Sequence, residues 1–456
     1  MKRFFTMLFT ALLLTAAVCV SASASDFDSV AQDLSSIGMF RGTAKGFELD
    51  RAPTRSEAAI MLVRLYGAED EAKAAYDAGE IQHPFTDVSS YTSPYVAWLY
   101  TKGITKGSTA TTFGSARTCT AQNYVVFLLR ALGYQDGTDF QYAEAPVFAK
   151  SCGFYDATLF PGTFLRDDLA AVTYQALAAN VKGTDTSLLD SLIEKGSIDA
   201  KAAKPLSDKI GVYRGMLKAS EDMNATSLDM DVDMKLKMKV DSGSMDTVSS
   251  GNIKVIVDGS KVEMASEMTT TVAGEAMKQG TWMKDGWVYT SVTAGGQTQK
   301  FKVAVGDTSA ALEDAGLGIV PDVNVSSLAY IDSITAQKSG SDTVYTLTIG
   351  KNAMESLIGN MDELLGTETG MQMSLSDVTV SYTVSSQGKL TGMHMLFSAT
   401  MKMTLPADGQ TPAQELNVAC DYDMTMTVKA TGSAVKITFP DFSDFTEISA
   451  AGDTAA

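Results

Sequence analysis

The sequence predicts a multidomain protein in which an all-α module of helical repeats precedes an α+β domain with a large, curved antiparallel sheet, an open half-barrel. Four observations support this fold class. Apolar residues recur at helical spacing as far as about residue 180, and a sequence pattern repeats within that part. Beyond Ala225 apolar and polar residues alternate instead, and the chain of 456 residues is longer than one hydrophobic core usually serves.

The first residues are typical of an export signal. Lys2 and Arg3 precede a mostly apolar run, Phe4 to Val20, and a small-x-small motif follows at Ala22-Ser23-Ala24. We therefore predict a signal peptide over residues 1–24 and a secreted protein. The apolar run is too short for a comfortable membrane span, and no later stretch reaches about 18 uninterrupted apolar residues, so no transmembrane segment is predicted.

Charge and the scarcity of histidine exclude several function classes. Lys and Arg total 36 against 54 Asp and Glu, and this formal net charge of −18 argues against nucleic acid or an anionic membrane surface as a partner. Only two histidines occur, His83 and His394, which excludes most histidine-based metal sites and catalytic triads. No G-x-S-x-G, H-E-x-x-H or Walker A motif occurs. We predict no enzymatic activity, no cofactor and no metal site.

The cysteines form no recognisable framework. Cys119, Cys152 and Cys420 are widely spaced and make no C-x-x-C motif, so they are interpreted as buried apolar side chains. A Cys119–Cys152 disulfide is an alternative in an exported chain. Cys19 lies within the predicted signal, and the bulky Val18 before it argues against lipid attachment.

A sequence pattern recurs in the helical part at an offset of 65 to 66 residues. Gly38 corresponds to Gly103, Phe47 to Phe113, Arg51 to Arg117, Thr54 to Thr120 and Gly67 to Gly133. The two threonines are predicted helix N-caps, and the last two glycines are predicted C-terminal caps. With a weaker third copy, the repeats cover about residues 26–68, 84–134 and 142–180, which predicts a helical module over residues 25–180.

Several motifs in these repeats resemble the S-layer homology (SLH) domain. They are Phe85-Thr86-Asp87-Val88, the loop from Gly103 to Gly107, and Thr54-Arg55-Ser56-Glu57, which is similar to the family's Thr-Arg-Ala-Glu signature. The resemblance implies a pseudo-threefold helical prong. It also implies that the prong anchors an exported protein non-covalently to pyruvylated secondary cell-wall polysaccharide at the surface of a Gram-positive-type cell.

The resemblance implies a glycan-binding site on the repeats. Arg55 is the first candidate, because an arginine fork binds a pyruvyl carboxylate through two hydrogen bonds. Glu57 would orient Arg55 or accept hydrogen bonds from sugar hydroxyls, and Trp98 would stack on a sugar face. The alternatives are a solvated Arg55, a Glu57 that only complements the helix N-terminus, and a Trp98 buried in the core. The remaining candidates are Thr54, Arg41, Lys106, Gly107 and Arg166.

Two of the three copies depart from the family pattern. The second has Thr120-Ala121-Gln122-Asn123, which lacks the arginine, and the third has Leu165-Arg166-Asp167-Asp168, which lacks the threonine. We therefore expect at least one of three grooves to be degenerate.

The second half is predicted to form a sheet. From Leu228 to Val240, seven apolar residues alternate with six charged ones, which is typical of a long strand with one buried face. Asp258-Gly259 and Asp285-Gly286 predict hairpin turns. A linker over 181–211 containing a short helix, a helix beginning at Val212, a helix at 353–365 and a tail at 446–456 are also predicted. Further strands are expected at 253–257, 261–271, 280–284, 287–292, 343–349, 374–384, 390–405, 415–429 and 434–439.

Methionine is concentrated in this half, with 20 of 24 residues at or after Met216. Four pairs have M-x-M spacing, which places both thioethers on the same face of a strand. Three interpretations follow: Cu(I) binding near His394, an adaptable apolar cavity for a lipid-like ligand, and a methionine-filled core without a ligand. His394 alternates out of phase with its neighbouring methionines, which disfavours copper. The candidate cavity residues are Met234, Met238, Met283, Met395 and Met403.

The order of elements over residues 212–445 resembles Lol-type and mycobacterial lipoprotein carriers, half-barrels that hold acyl chains. The segment Trp282–Tyr289 also resembles an uncharacterised, methionine-rich class of exported Gram-positive proteins. We therefore expect a cell-surface protein whose helical repeats bind wall polysaccharide and whose second domain, over residues 212–445, binds or senses a lipid-like ligand. Two alternatives remain open: a purely structural spacer module of the surface layer, and a cell-wall hydrolase with an unrecognised site.

Overall fold

The computed structural model describes residues 27–160, 162–220, 227–240, 243–258, 261–305, 325–350, 372–405 and 414–448. The chain divides into two compact units, described separately below. Of the described residues, the helical unit contains those up to 214 together with 325–332, and the sheet unit contains the others. The predicted signal peptide, the predicted helix at 353–365 and most of the predicted tail lie outside the described residues.

Nine α-helices are described, and the helical repeats supply most of them. They are α1 (Asp28–Ser36), α2 (Arg55–Leu65), α3 (Glu69–Asp77), α4 (Ser93–Thr101), α5 (Ala121–Ala131), α6 (Ala145–Ser151), α7 (Arg166–Ala178), α8 (Leu188–Glu194) and α9 (Ala200–Ser220). Both predicted N-caps are confirmed, since the hydroxyls of Thr54 and Thr120 accept hydrogen bonds from the backbone N–H groups three residues later. Gly67 and Gly133 follow their helices with φ of +69° and +94°, as expected for C-terminal caps.

The core of the helical unit is made where these helices meet. Ala59 and Val63 of α2, Val96 and Leu99 of α4, and the loop residue Phe113 belong to one buried apolar cluster. Each helix contributes residues three or four apart, which is the spacing of one helix face.

Helix α9 begins at Ala200, whereas the sequence predicted a polar linker there and a helix starting at Val212. Asp199 accepts a hydrogen bond from the Ala202 N–H at 2.8 Å and so caps the start of the helix. Ala203, Leu206, Ile210 and Tyr213 are all buried and lie at helical spacing. This apolar stripe outweighs the surrounding polar residues and the internal Pro205.

A short 3₁₀ helix, Val325–Tyr330, belongs to the helical unit although it follows the sixth strand in sequence. It packs against α7. The ring of Tyr330 meets that of Phe27 edge-on at 5.3 Å, and its hydroxyl donates to the Leu159 carbonyl at 3.1 Å. Leu328 is fully buried. The helical unit is therefore discontinuous in sequence.

The sheet unit contains thirteen described strands in one open, curved sheet. Their bounds are β1 (Leu228–Val240), β2 (Gly243–Asp258), β3 (Lys261–Val272), β4 (Glu275–Lys284), β5 (Trp287–Ala294), β6 (Gln297–Ala304), β7 (Ile331–Ser339), β8 (Asp342–Ile349), β9 (Gln372–Leu375), β10 (Val378–Val384), β11 (Leu390–Leu405), β12 (Gln414–Thr431) and β13 (Thr446–Glu447). The order across the sheet is β13-β6-β5-β4-β3-β2-β1-β12-β11-β10-β8-β7, with β9 beside β11. All neighbours are antiparallel except β13 and β6. The predicted fold class is confirmed.

Most predicted strands are present, with different bounds. The strand predicted at 253–257 is part of the longer strand β2, and the one predicted at 374–384 is divided into β9 and β10. The turn at Asp285-Gly286 is confirmed, with φ of +51° and +78°. Gly259 lies outside the described residues. Strands β6 and β7 were not predicted.

The prediction of a strand at 434–439 is wrong, because these residues form no strand. Only β13 of the C-terminal segment joins the sheet, where it pairs with β6. The aromatic residues before it gather instead on one face of β4 and β5, where Phe442 stacks on Tyr289 at 3.7 Å and contacts Phe439 and Phe445. Packing of Phe442 and Phe445 against Trp282 replaces strand pairing over this segment.

Candidate functional site

A small pocket lies where the first and second repeats meet. The backbone N–H of Arg55 donates to the Arg117 carbonyl at 2.8 Å, and that of Ser56 donates to the Ser115 carbonyl at 3.3 Å. These bonds hold the start of α2 against the loop that precedes α5. The pocket has a volume of about 130 Å³ and is lined by Arg55, Arg117, Thr118, Cys119, Asn123 and Phe127.

Asp87 of the Phe-Thr-Asp-Val motif shapes the loop beside this pocket. Its carboxylate accepts three backbone hydrogen bonds, from Phe113 and Gly114 at 2.7 Å and from Ser115 at 3.1 Å. Burial raises the pKa of Asp87, but these backbone donors outweigh it and leave the pKa below its ordinary value. The motif therefore has a structural role, because it positions the ring of Phe113 and the chain leading to Arg117.

Arg55 points into the pocket and is half-buried. Its guanidinium carbon lies 4.8 Å from the centroid of the Phe113 ring, a cation–π arrangement. The Nε atom is buried and has no hydrogen-bond partner. Burial lowers the pKa of Arg55, and the nearby charge of Arg117 lowers it further. No ion pair of either arginine occurs among the residues that the structure describes. Arg55 is therefore a cation with unused hydrogen-bonding capacity beside an aromatic ring.

Polar groups from the second and third repeats approach the same place. Asn123 lies in the first turn of α5, and its Oδ1 accepts a hydrogen bond from the Tyr142 hydroxyl at 2.6 Å. Gln122 Nε2 donates to the Tyr142 carbonyl at 2.7 Å. The pocket thus combines two cations, an amide and one aromatic ring, a set of groups suited to a polar ligand that carries negative charge.

Thr54 and Glu57 form a capping box at the start of α2, and neither contacts Arg55 through a side-chain hydrogen bond given by the structure. Glu57 accepts instead from Arg51 at 2.6 Å and 3.0 Å and from Arg166 at 2.8 Å. Burial raises the pKa of Glu57, but Arg51, the Thr54 N–H and Arg166 together lower it to about 2.

Arg166 is 3% exposed and has all of its donors directed inward. Besides Glu57, it donates to the Phe47 carbonyl at 2.9 Å and the Arg41 carbonyl at 3.5 Å, with its guanidinium over the Phe40 ring. The structure thus places this candidate in an internal ion-pair network rather than at an open pocket.

The other predicted glycan-binding residues are not among those that line the pocket at Arg55. Arg41 is exposed and pairs with Glu69 at 3.2 Å, and Lys106 is exposed without a described partner. Gly107 has φ +78°, and a Cβ there would collide with the Phe85 ring. A glycine at this position therefore allows the Phe85 ring to pack against the loop.

Trp98 takes the core position that the sequence left as an alternative. It is 7% exposed, and its ring lies 5.5 Å from that of Tyr66. Its indole Nε1 donates to the Glu71 carboxylate at 3.0 Å. Five residues that line the open pocket were not predicted: Arg117, Thr118, Cys119, Asn123 and Phe127. Two of them carry a repeat signal, since Arg117 corresponds to Arg51 and Asn123 to Glu57.

In the sheet unit, thioethers line one buried face. Met234 pairs across β1 and β12 with Met424, which pairs in turn with Met395 of β11. Met238 pairs with Cys420 on the same face, and Met283 belongs to a smaller buried cluster with Val255, Val262 and Met264. The side chain of Met403 lies outside the described part of the chain, although its backbone pairs with Leu416.

His394 lies on the opposite face from Met393 and Met395, as its place in the alternation predicted. Its Nε2 is 2.9 Å from Asp423 Oδ1, and Met393 on the other face is buried. The histidine is therefore not directed toward the thioethers. Within the described ranges, no group of three or more His, Cys, Asp or Glu residues could hold a metal ion.

The three described cysteines form no disulfide bond with one another. Cys119, Cys152 and Cys420 are all free thiols, so the alternative of a Cys119–Cys152 disulfide does not hold in this structure. Burial raises the pKa of the Cys119 thiol to about 12, even though the Arg55 charge lowers it, and the thiol therefore stays protonated at neutral pH.

Among the described helices, none is long and apolar enough to cross a membrane.

Comparisons with known proteins give one match to a domain model and several similar solved structures. A search of curated proteins returns no match. Similar solved structures include lipovitellin, with a TM-score of 0.23 and 8% identity. The match covers 48% of this chain and 27% of the lipovitellin chain. The similar structures also include a putative outer membrane lipoprotein-sorting protein domain from Vibrio parahaemolyticus (TM-score 0.14, 9% identity, 50% of this chain and 94% of that one) and a DUF1329 family protein from Desulfovibrio piger (TM-score 0.16, 9% identity, 50% and 95%). Residues 84–120, within the second repeat, match the S-layer homology domain, which confirms the predicted resemblance there.

Proposed function

We propose that this is a secreted cell-surface protein whose helical unit binds wall polysaccharide non-covalently and whose sheet unit binds a lipid-like ligand, with no catalytic activity. The observation that carries the anchoring role is the pocket at Arg55, whose wall includes Arg117, Thr118 and Cys119 from the segment that matches the S-layer homology domain. An unpaired guanidinium in a pocket that the Phe127 ring also lines suits an acidic sugar, because the charge attracts the acid and the ring offers an apolar surface. The pyruvylated glycan expected from the family is the proposed partner.

Sedimentation of the full-length protein with purified Gram-positive cell walls tests the anchoring role. Arg55→Gln is expected to weaken binding about 10- to 100-fold, since hydrogen bonds to a charged group contribute about 1.5–3 kcal/mol. Lys195→Gln removes an exposed positive charge outside the pocket and is expected to bind as the wild type does. Equal sedimentation of the two variants would remove Arg55 from the site. Wild-type protein that stays in the supernatant would refute wall anchoring.

The proposed ligand of the sheet unit is supported by the chemistry of its buried face. Thioether side chains are flexible and polarizable, so they adapt to acyl chains of varied shape. Met234, Met395 and Met424 lie in one row across three strands, and Met393 and Met426 lie in the next. The long alternating strands give this face an apolar character over their full length.

Native mass spectrometry of the full-length protein, purified from its own host, tests the lipid-binding role. A co-purifying mass that is removed by organic extraction is expected, and Met395→Gln should reduce the amount retained. Leu396→Gln is the matched control, because its side chain is 40% exposed on the opposite face. A single apo mass that takes up neither lipid nor Cu(I) would support the structural alternative, and turnover of wall fragments would support the hydrolase.

A further inference from the structure

The first and third repeats begin their motif helices with the same backbone contacts. At the first junction, Arg55 N–H bonds to the Arg117 carbonyl at 2.8 Å. At the second junction, where the third repeat meets the first, Arg166 N–H bonds to the Arg51 carbonyl at 2.9 Å. Arg166 is the sequence equivalent of Arg55, and Arg51 is the equivalent of Arg117. The two junctions are therefore structurally equivalent sites that each bring a pair of arginines together.

The second junction is neutralised from within. Glu57 accepts hydrogen bonds from both of its arginines, at 2.6 Å from Arg51 and 2.8 Å from Arg166. The carboxylate bridges the two guanidinium groups, so this site has no capacity left for an external acid.

At the first junction the residue equivalent to Glu57 is Asn123. It lines the pocket together with Arg55 and Arg117, and none of the six lining residues is acidic. The Asp87 carboxylate, whose charge acts on Arg55, is occupied by three backbone N–H groups. An amide in place of the acid leaves the arginine pair uncompensated.

We infer that the first junction binds an external carboxylate that bridges Arg55 and Arg117, and that Asn123 makes the site available by replacing the internal acid. This inference rests on the proposed wall-binding function and adds to it. Of the two arginine pairs, only the one at the first junction then forms a binding groove. Arg117 is a ligand-binding residue of this groove, and Asn123 determines whether the groove is open.

The chemistry at the second junction indicates a carboxylate rather than a bulkier acid. There, a carboxylate from a side chain satisfies an equivalent pair of arginines at normal hydrogen-bond distances. The volume of about 130 Å³ at the first junction has room for such a planar group and part of a sugar. The Phe127 ring, which lines the pocket, offers a surface for the ligand's apolar side.

Two variants at one position test the inference in the full-length protein. Asn123→Glu supplies the acid that the second junction contains, and it is expected to weaken binding of purified wall polysaccharide at least about tenfold, because the new carboxylate pairs with the arginines. Asn123→Gln has the same length as Asn123→Glu without the charge, so Asn123→Glu is expected to bind at least about tenfold more weakly than Asn123→Gln. Circular dichroism of both variants checks that the helices are retained, and if Asn123→Glu does not fold, Arg117→Gln is measured in its place, with the same expected tenfold loss.

The probe separates the chemical sources of the negative charge. Wall polysaccharide whose carboxyl groups have been amidated, with its phosphates intact, is expected to bind wild-type protein at least about tenfold more weakly than the untreated polymer. Equal binding of the amidated polymer would overturn the carboxylate assignment. Equal binding by Asn123→Glu and Asn123→Gln would overturn the role of Asn123. In both of those cases wild-type protein still binds walls, whereas failure of the proposed function is a wild-type protein that binds neither polymer.

Discussion

Identical residue types have different roles in this protein according to the residue that faces them. Arg166 and Arg55 occupy equivalent places in two repeats, yet Arg166 is buried against Glu57 while Arg55 lies beside an amide. The sequence identified both arginines as candidates, because the repeat places them at the same position. Whether each was paired depended on side chains more than 60 residues distant along the chain.

A second carboxylate links the elements of the first and second repeats. Glu69 accepts hydrogen bonds from Lys73 at 2.7 Å, Tyr95 at 2.6 Å and the buried Arg64 at 3.0 Å, and it also pairs with Arg41. Burial raises the pKa of Glu69, but these donors outweigh it and lower the pKa to about 2. The ionised carboxylate is therefore part of the folded state at neutral pH.

Glu69→Gln is expected to lower the free energy of unfolding by about 1–3 kcal/mol at pH 7, because charged hydrogen bonds are lost at a site with little solvent. Since the folded-state pKa is depressed, the wild-type advantage exists above the unfolded-state pKa and disappears as the pH falls toward about 2. Urea unfolding at pH 7, pH 4 and pH 2.5 measures the difference. A difference that does not shrink with falling pH would contradict the assigned role of the charge.

At the scale of secondary-structure elements, the alternating pattern of β1 was sufficient to predict its strand and its buried face. The six apolar residues from Leu228 to Met238 are all buried, as period-2 alternation requires. On the other face, Lys235 stands opposite Asp423 and Lys237 opposite Asp421 in the pairing with β12. These opposite charges favour the observed register over a slip of one residue.

Elements without such a pattern were missed because their neighbours stabilise them. Strand β6 is rich in Gln, Thr and Lys, and it forms by pairing with β5 along its whole length. The segment at 434–439 is apolar enough to suggest a strand, but aromatic contacts on the face of β4 and β5 retain it outside the sheet. Local sequence does not distinguish these outcomes, because both depend on surfaces formed by other strands.

The glycine within β2 is predicted to be required for strand packing. A Cβ at Gly251 would collide with the Glu267 carbonyl and with the Met268 sulfur on β3, and the backbone atom cannot move without disturbing the pairing. Gly251→Ala is expected to destabilise the sheet unit by about 1–3 kcal/mol, the usual cost of overpacking.

Gly243→Ala is the matched control for this prediction, because a Cβ there meets nothing within 4 Å and the residue lies in the same strand. Chemical unfolding followed by the fluorescence of Trp282 and Trp287 reports on the sheet unit, where both residues lie. Equal unfolding midpoints for the two variants would show that β2 and β3 accommodate the extra carbon.

At the scale of the whole molecule, the helical unit depends on residues from the second half of the sequence. Leu328 and Tyr330 are buried within it, and Tyr330 contacts Phe27 at the beginning of α1. A fragment that ends at residue 214 would lack both side chains. The helical unit and the sheet unit are thus separate compact units that cannot be separated by a single cut in the chain.

Tyr330→Ala is expected to destabilise the helical unit by about 3 kcal/mol, since removing a buried aromatic ring leaves a cavity and also removes the bond to the Leu159 carbonyl. In a background with Trp282 and Trp287 replaced by Phe, the fluorescence of Trp98 follows this unit alone. Tyr91→Ala, at a tyrosine that is 63% exposed, is the control and should change the midpoint little. Coinciding midpoints for the two variants would contradict a stabilising role for Tyr330.

The sequence by itself determined the order of a helical and a sheet part, the helix caps at Thr54 and Thr120, and the buried face of β1. Hydrophobic period and capping chemistry act between residues that are close along the chain, so they can be read without knowledge of the fold. Only the tertiary structure decided that Glu57 pairs with Arg166 and that Tyr330 completes the helical unit. Such pairings join residues 109 and 303 positions apart (166 minus 57, and 330 minus 27), and only the packed fold determines which distant groups meet.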